Sequence, residues 1–461
     1  MGDLGDVVYK PRNGHGLVLF PLPLQGHINS MLQLANILYS QGFSITVIHT
    51  EFNSPSLSKF PHFTFRSIPD GLSGEGHSSI SDMGILTLLS ALNVNCVEPF
   101  RMCLAETLQS NSDASKDRIA CLISDSVWHF SQRIADELNI RRMELRTTSI
   151  SSFSGFSALL SLHKRGYFPL QDMKLEEPPM ELWPLRLKDL PILETENPEE
   201  LYRLLESMVK ELKGCSGLIS NSFEELEPAK LNESGGMEVP VPVFSIGPFH
   251  KYFPASSSSL LKQDKSSLLW LDKQAPNSVL YVSFGSLASI DAAQFEEIAS
   301  GLLESEQPFL WVVRPGLVHG LDLLPGRFMG AVSGRGLIVQ WAPQQEVLAH
   351  PSVGGFWSHC GWNSTLESIC EGVPMICMPC FGDQRVNARF ISHIWRIGLQ
   401  LEGKAQRGDI RNAIRRLMMS EEGEEIRGRM RNLKAKVDYC VKPEGSSYDA
   451  LQSLTTHLLS F

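Results

Sequence analysis

The strongest constraint on this chain is a change of hydrophobic period near its start. Gly16 to Phe20 is a short apolar run, and Pro21-Leu-Pro-Leu-Gln-Gly-His27 follows as a loop. From Ile28 onward Ile28, Met31, Leu32, Ala35 and Leu38 recur at helical spacing until Gly42 supplies a stop. Phe43 to Thr50 then alternates as a second strand. Strand, loop, helix and strand form a βαβ unit, which implies a parallel sheet. Apolar runs at Ile119–Ser124, Gly217–Asn221 and Val243–Ile246 repeat the pattern.

Between Pro248 and Lys265 the composition changes, and Phe253–Leu260 is a serine-rich stretch without periodicity that reads as a linker. A second alternating series follows. It has strands at Val279–Val282, Phe309–Val313, Leu337–Gln340, Val353–Trp357 and Pro374–Met378, with a helix near Asp291–Glu304. The expected class is therefore α/β, with two doubly wound, Rossmann-like domains. The boundaries read as 1–248, a linker over 249–265, and 266–461, whose last helix is a candidate to pack back on the first domain.

Composition narrows the function. With 51 acidic against 41 basic residues, the formal net charge is −10. An acidic surface repels phosphate backbones, so nucleic-acid binding would need a local basic stripe. The densest basic stretch, Arg411 to Arg431, is interrupted by Glu421, Glu422, Glu424 and Glu425 and reads as a solvated helical face. No stretch approaches the roughly 20 apolar residues of a membrane span. The run Leu17–Leu24 is too short and proline-broken for an export signal. The nine cysteines are then expected to be reduced, mostly buried thiols of a cytoplasmic protein. Cys377-Met-Pro-Cys380 has redox-motif spacing but follows a strand-like run inside a larger motif.

Ligands of doubly wound sheets bind beyond the carboxyl ends of strands. That rule singles out His27, Asp125 and the segment after Gln340. In that segment Ser358-His359-Cys360-Gly361 ends a strand-like run, and Trp362-Asn363-Ser364 opens a helix. A helix start presents unsatisfied N–H groups and the positive end of the dipole, an anion site that needs no metal. His359, Asn363 and Ser364 add donors there, Glu367 can accept from both hydroxyls of a ribose, and Trp341 offers a face for a planar base. Taken singly, the tryptophans read equally as packing residues, His359 as a core histidine and Asn363-Ser-Thr365 as a glycosylation sequon. His27 likewise reads either as a base or as a structural histidine, and Asp125 as its carboxylate partner or as a helix cap.

Together, and in this order, the residues from Trp341 to Gln384 resemble the signature box of the plant family 1 UDP-glycosyltransferases. Leu22-Pro-Leu-Gln-Gly-His27-Ile-Asn, Ser124-Asp125 with Trp128, Val282-Ser-Phe-Gly-Ser286 and Gly445-Ser-Ser447 carry the resemblance over nearly the whole chain. It implies two Rossmann domains facing a cleft, the GT-B type, with acceptor and base on the first domain and UDP-sugar on the second. Position by position, Trp341, with Ala342 beside it, would stack on uracil, and Gln344 and Glu367 would bind ribose. Ser286, His359, Asn363 and Ser364 would hold the diphosphate. Trp362, Asp383 and Gln384 would meet the sugar hydroxyls. His27 would be the base of an inverting transfer and Asp125 its partner. Thr147 would contact donor sugar or phosphate.

The resemblance implies UDP-glucose as co-substrate, no metal or other cofactor, and a small metabolite as acceptor, glucosylated on a hydroxyl or alternatively on a carboxyl or amine. Gln384 with Trp362, rather than a basic residue, points to a neutral sugar. Gly382, where alanine is more usual, removes a methyl group beside it. Within the family, Phe43–Thr50, Phe60–Phe65 and Ala255–Leu261 are most similar to the enzymes of cytokinins, small hydroxy acids and terpenoids. A silent nucleotide-sugar-binding protein and a transferase of another UDP-sugar are the alternatives. The sequence does not give the oligomeric state, and a monomer is compatible with it. Absence of G-x-G-x-x-G and G-x-S-x-G argues against a nicotinamide oxidoreductase and a serine hydrolase. Ser73–Leu88, Ser149–Tyr167 and Met173–Leu193 are the expected acceptor-side segments, read as irregular, with Phe153, Phe156, Leu159 and Leu160 as candidate pocket or core residues.

Overall fold

The computed structural model describes residues 10–72, 84–110, 117–167, 184–192, 195, 197–227, 239–253, 259–318, 332 and 334–461. They form two parallel sheets. The first contains β1 (His15–Phe20), β2 (Ser44–Thr50), β3 (Thr64–Ile68), β4 (Arg118–Asp125), β5 (Arg141–Arg146), β6 (Leu218–Ser220) and β7 (Val243–Ser245). Their order is β3-β2-β1-β4-β5-β6-β7. The second contains β8 (Val279–Ser283), β9 (Phe309–Val312), β10 (Gly336–Val339), β11 (Val353–Ser358), β12 (Met375–Cys377) and β13 (Gly398–Gln400), in the order β10-β9-β8-β11-β12-β13. This is the doubly wound α/β architecture that the alternation predicted, present twice.

The continuous apolar runs follow from burial on both faces. On β1, Leu17 and Leu19 join one cluster with Ile28, Met31, Leu32 and Ala35 of the helix Gln25–Ser40. Val18 and Phe20 point the other way, into a cluster with Phe100 and Trp128. There the Phe20 ring stacks 4.2 Å from Phe100 and 4.5 Å from Trp128. Leu451, Leu454 and Leu458 of the helix Ser446–Leu459 also sit in the first sheet's core, so the chain ends by crossing back. Phe223 and Leu226, just after β6, are buried with Trp362 and other core residues of the second sheet.

Each sheet reverses strand order once, between β1 and β4 and between β8 and β11. A crevice opens at the carboxyl ends of the strands at such a point. The segments that leave β1, β8 and β11 carry His27, Ser286 and His359, and Asp125 ends β4, while Thr147, Trp341 and Asp383 follow β5, β10 and β12.

Some expectations need correction. The first helix begins at Gln25, because the Leu24 carbonyl already accepts from the N–H groups of His27 and Ile28, both at 2.9 Å. His27 therefore lies in the first helical turn and not in a loop. Ser149–Tyr167 is not irregular: Ile150–Lys164 is a helix, and the Ser149 hydroxyl caps it by accepting from Ser152 N. Phe153, Leu159 and Leu160 are core residues, and Phe153 packs under the Arg146 guanidinium at 4.0 Å. Of the other acceptor-side segments, residues 73–83, 168–183 and 193 lie outside the described residues, as do 254–258 of the expected linker. All nine cysteines are free thiols. No helix among the described residues is long and apolar enough to cross a membrane.

Candidate active site

Asp125 ends β4 and is fully buried, while the His27 side chain is 22% exposed. His27 Nδ1 lies 2.7 Å from Asp125 Oδ2, and the other carboxylate oxygen accepts from Val127 N at 3.0 Å. Thr147, directly after β5, places its hydroxyl 3.0 Å from the same ring nitrogen. With the Nδ1 proton held by Asp125, Nε2 carries the lone pair and is the basic position of the ring. Burial works against the charged imidazole. The charge and hydrogen bond of Asp125, with the charge of Asp383, outweigh it, and the His27 pKa is raised above its ordinary value.

Asp383 belongs to the other half of the molecule. It opens the helix Asp383–Arg389 and accepts from Asn387 Nδ2 at 3.0 Å. Burial pushes its carboxyl up to about 6, against the hydrogen bond from Asn387 and the charge of His27. The crevices of both sheets thus meet, with the His27 imidazole on one wall and the Asp383 carboxylate on the other.

The anion site is built on the helix Trp362–Glu371, which no side chain caps at its N-terminus. Trp362 is buried and donates through its indole to the Asn221 carbonyl at 2.8 Å. Asn363 reaches across the cleft: Nδ2 donates to the Gly26 carbonyl at 2.9 Å, and Oδ1 accepts from Ser30 at 3.2 Å. The His359 imidazole is packed tightly at the end of β11. A Cβ on Gly285 or on Gly361 would stand 2.5 Å from its Nε2. Gly285 also has φ +71°, in the left-handed region that favours glycine. Burial, with the nearby charge of Arg314, pulls the His359 pKa down to about 4. At neutral pH this ring offers a hydrogen bond to an anion but no charge. Ser286 stands half-buried in the turn after β8.

Trp341 is half-buried after β10, its indole N–H 3.3 Å from the Ser259 hydroxyl. Ala342 is buried in the core below it. Glu367 accepts from Gln344 at 2.6 Å and from Gln345 at 2.8 Å, and Gln344 also donates to Ser364 at 2.9 Å. Burial raises the Glu367 pKa, while the two amides oppose it. Gln384 turns inward, accepting from the backbone N–H of Cys380 at 2.8 Å and of Phe381 at 3.2 Å.

The structure thus brings His27, Asp125 and Thr147 together, sets the Asp383 charge near His27 and joins Gln344, Ser364 and Glu367. Trp362 and Ala342 are core residues, and Gln384 turns inward. The structure also adds residues that sequence reasoning missed. Arg314, just beyond β9, braces the Gly285–Ala288 turn by donating to the carbonyls of Gly285 and Ala288. Asn221 and Asn387 tie the halves together, and Gln345 completes the Glu367 pair. A lone arginine after an apolar strand was the only local signal for Arg314. Gly382 has a different meaning from the missing methyl: its φ of 60° and ψ of −138° is backbone that a side chain disfavours.

The chain as a whole is similar to known proteins. UDP-glycosyltransferase 76B1 of Arabidopsis thaliana is 53% identical over 96% of this chain and 98% of its own length. The chain belongs to the plant family 1 UDP-glycosyltransferases. Residues 237–443 of the transferase also match the profile described as UDP-glucoronosyl and UDP-glucosyl transferase. UDP-glycosyltransferase 76C4 of Arabidopsis thaliana is 49% identical over 98% of the transferase and 100% of its own length. A solved structure of a Phytolacca americana enzyme with UDP-2-fluoro-glucose and pterostilbene superposes with a TM-score of 0.80. It is 27% identical, covering 97% of this transferase and 100% of that chain. The GT-B fold and the use of a UDP-sugar follow from this membership.

Proposed function

We propose that this transferase moves glucose from UDP-glucose to a hydroxyl of a small plant metabolite, with inversion at the anomeric carbon. The observation that carries the reading is the convergence of Asp125 and Thr147 on His27 Nδ1, at 2.7 and 3.0 Å, facing the anion-binding helix. That arrangement leaves Nε2 to take the acceptor's proton as its oxygen attacks the anomeric carbon. Asp125 fixes the tautomer and stabilises the imidazolium that forms.

In this reading, residues 1–248 form the acceptor unit, 249–265 the connection and 266–461 the donor unit. The first-turn N–H groups of Trp362–Glu371, with Ser286, His359, Asn363 and Ser364, receive the leaving diphosphate. Trp341, with Ala342 beside it, takes the uracil, and Gln344 and Glu367 take the ribose. Trp362, Asp383 and Gln384 line the sugar position. Glucose is supported by the fluoro-glucose donor of the Phytolacca structure and by the absence of a basic side chain from that last trio. The family relationship supports a metabolite acceptor.

The test is UDP release from UDP-glucose with a panel of phenols, hydroxy acids, cytokinins and terpenoid alcohols. His27→Ala should lower turnover by about 10²- to 10⁴-fold while UDP affinity is retained. Unchanged turnover would remove His27 from the mechanism, and no release with any acceptor would favour a silent nucleotide-sugar-binding protein.

A further inference from the structure

Asn387 is a fully buried asparagine, 1% exposed, one helical turn beyond Asp383. Each side of its carboxamide is occupied. Nδ2 donates to Asp383 Oδ2 and to the Cys360 carbonyl, both at 3.0 Å. Oδ1 accepts from the hydroxyls of Ser149 at 3.1 Å and of Ser152 at 3.2 Å. Its two donor bonds stay within the second half, and its two acceptor bonds come from the first.

The partners give this junction its meaning. Cys360 has φ +65°, a left-handed conformation held immediately before the helix Trp362–Glu371. Ser149 caps the helix Ile150–Lys164 and lies two residues beyond Thr147, whose hydroxyl sits on His27 Nδ1. A continuous route therefore runs from the base through Thr147 and the Ser149 cap to Asn387, and from Asn387 to Asp383 and the anion-site turn. Its components are hydrogen bonds and short backbone segments.

We propose that Asn387 is a positioning residue that locks the two halves of the transferase in catalytic register, holding Asp383 and the Cys360 turn against the Ser149–Ser152 helix start. The inference rests on the reading of His27 as base and of Asp383 as a sugar contact. A carboxamide suits this task because it donates to a carboxylate and a carbonyl while accepting from two hydroxyls. Aspartate would set a second carboxylate against Asp383, and leucine would remove one hydrogen bond from each of four buried polar partners. A misplacement of about 1 Å between reacting groups can cost up to 10²-fold in rate. Gln384 lies beside Asp383 on the same helix, and the other donor-binding groups lie on other segments.

The experiment compares Asn387→Ala, Asn387→Asp and Ser152→Ala with the wild type in the full chain. Its readouts are kcat, KM for UDP-glucose, the pH profile of kcat/KM, UDP affinity by calorimetry, and thermal midpoint. Asn387→Ala should reduce kcat by about 10- to 10²-fold with a smaller loss of UDP affinity, because Asn387 also holds the Cys360 turn that precedes the anion-site helix. Removing the Asn387 N–H raises the Asp383 pKa further. Protonation of Asp383 removes a charge that holds the His27 pKa up, so the acid limb of kcat/KM, set by neutral His27, should move to lower pH. Ser152→Ala deletes a bond from the first half alone and should lower kcat less than Asn387→Ala, with the acid limb unmoved. If Asn387→Ala and Asn387→Asp both turn over like the wild type, the proposal is wrong. It is equally wrong if kcat and UDP affinity fall together with the thermal midpoint and the pH profile stays in place, since that marks a general packing role. Failure of the underlying reading looks different, because His27→Ala would then retain full turnover.

Discussion

Asp125→Asn isolates the electrostatic part of the proposed base, because the two side chains have the same shape. In the native protein Oδ2 faces the His27 Nδ1 proton at 2.7 Å, and Oδ1 accepts from Val127 N at 3.0 Å. Asparagine can satisfy only one of these donors. If its oxygen keeps Val127, its N–H₂ faces Nδ1, which must give up its proton and place it on Nε2. The basic nitrogen is then the wrong one. If its oxygen faces His27, the N–H₂ meets the Val127 N–H, leaving buried donors unpaired at about 1–3 kcal/mol. That alone is roughly 5- to 160-fold in rate at 1.36 kcal/mol per tenfold. Loss of the negative charge beside the developing imidazolium adds to it, and the expected fall in kcat is about 10²- to 10⁴-fold. The assay is initial-rate UDP release at saturating UDP-glucose and acceptor, with kcat/KM followed across pH. The working base is neutral His27, and its pKa is raised. Wild-type kcat/KM should therefore fall as pH drops through a value above 6.5, and the variant's acid limb should lie at lower pH. UDP affinity should be unchanged, since Asp125 touches no donor-side residue. A variant within threefold of wild-type kcat, or an acid limb in the same place, would refute the pairing as the source of reactivity.

Gly285→Ala should lower both the thermal midpoint and UDP affinity. A left-handed φ costs an L-residue about 1–2 kcal/mol, and the new Cβ would stand 2.5 Å from His359 Nε2, so the ring must move; calorimetry with UDP and a melting curve check both. Glu367→Ala should raise the KM for UDP-glucose by roughly 10- to 10²-fold with a smaller change in kcat, because charge-assisted hydrogen bonds contribute about 1.5–3 kcal/mol. Burial raises the Glu367 pKa, so wild-type UDP affinity should weaken as pH falls through a value above the ordinary glutamate range, and Glu367→Ala should lose that dependence.

Much of this protein was legible because its signals are local. The runs at β1, β4 and β11 are apolar on both faces and end on the residues that matter, so strand ends pointed to His27, Asp125 and His359 before any geometry was available. The signature from Trp341 to Gln384 worked for a similar reason. It is one unbroken stretch running through β11, the helix Trp362–Glu371 and β12 to the helix start at Asp383, so its chemistry lies in a single window of sequence. What escaped sequence reading depends on contacts between distant segments. Ser149–Tyr167 looked irregular because serines at 149, 151, 152, 154, 157 and 161 dilute its period, yet its cap and its packing against the first sheet make it a helix.

The charged strand β5 shows the limit most clearly. Arg142, Glu144 and Arg146 alternate along it, a pattern that ordinarily marks a solvated strand face. All three are buried, at 1%, 0% and 2% exposure. Glu144 lies between the two guanidiniums, 3.3 Å from Arg142 and 2.8 Å from Arg146. Arg142 also donates to Ser124 at 2.8 Å and to Gln132 at 3.3 Å. A buried charge persists only where partners complete its hydrogen bonds. Here those partners come from β4, from the helix Ser131–Glu137 and from β5 itself, so no single element contains all of them. Ser124 immediately precedes Asp125, and Arg146 immediately precedes Thr147. The network therefore fixes the ends of the two strands that deliver both groups on His27 Nδ1. The same burial that hid these charges from a reading of sequence period gives the base its rigid support.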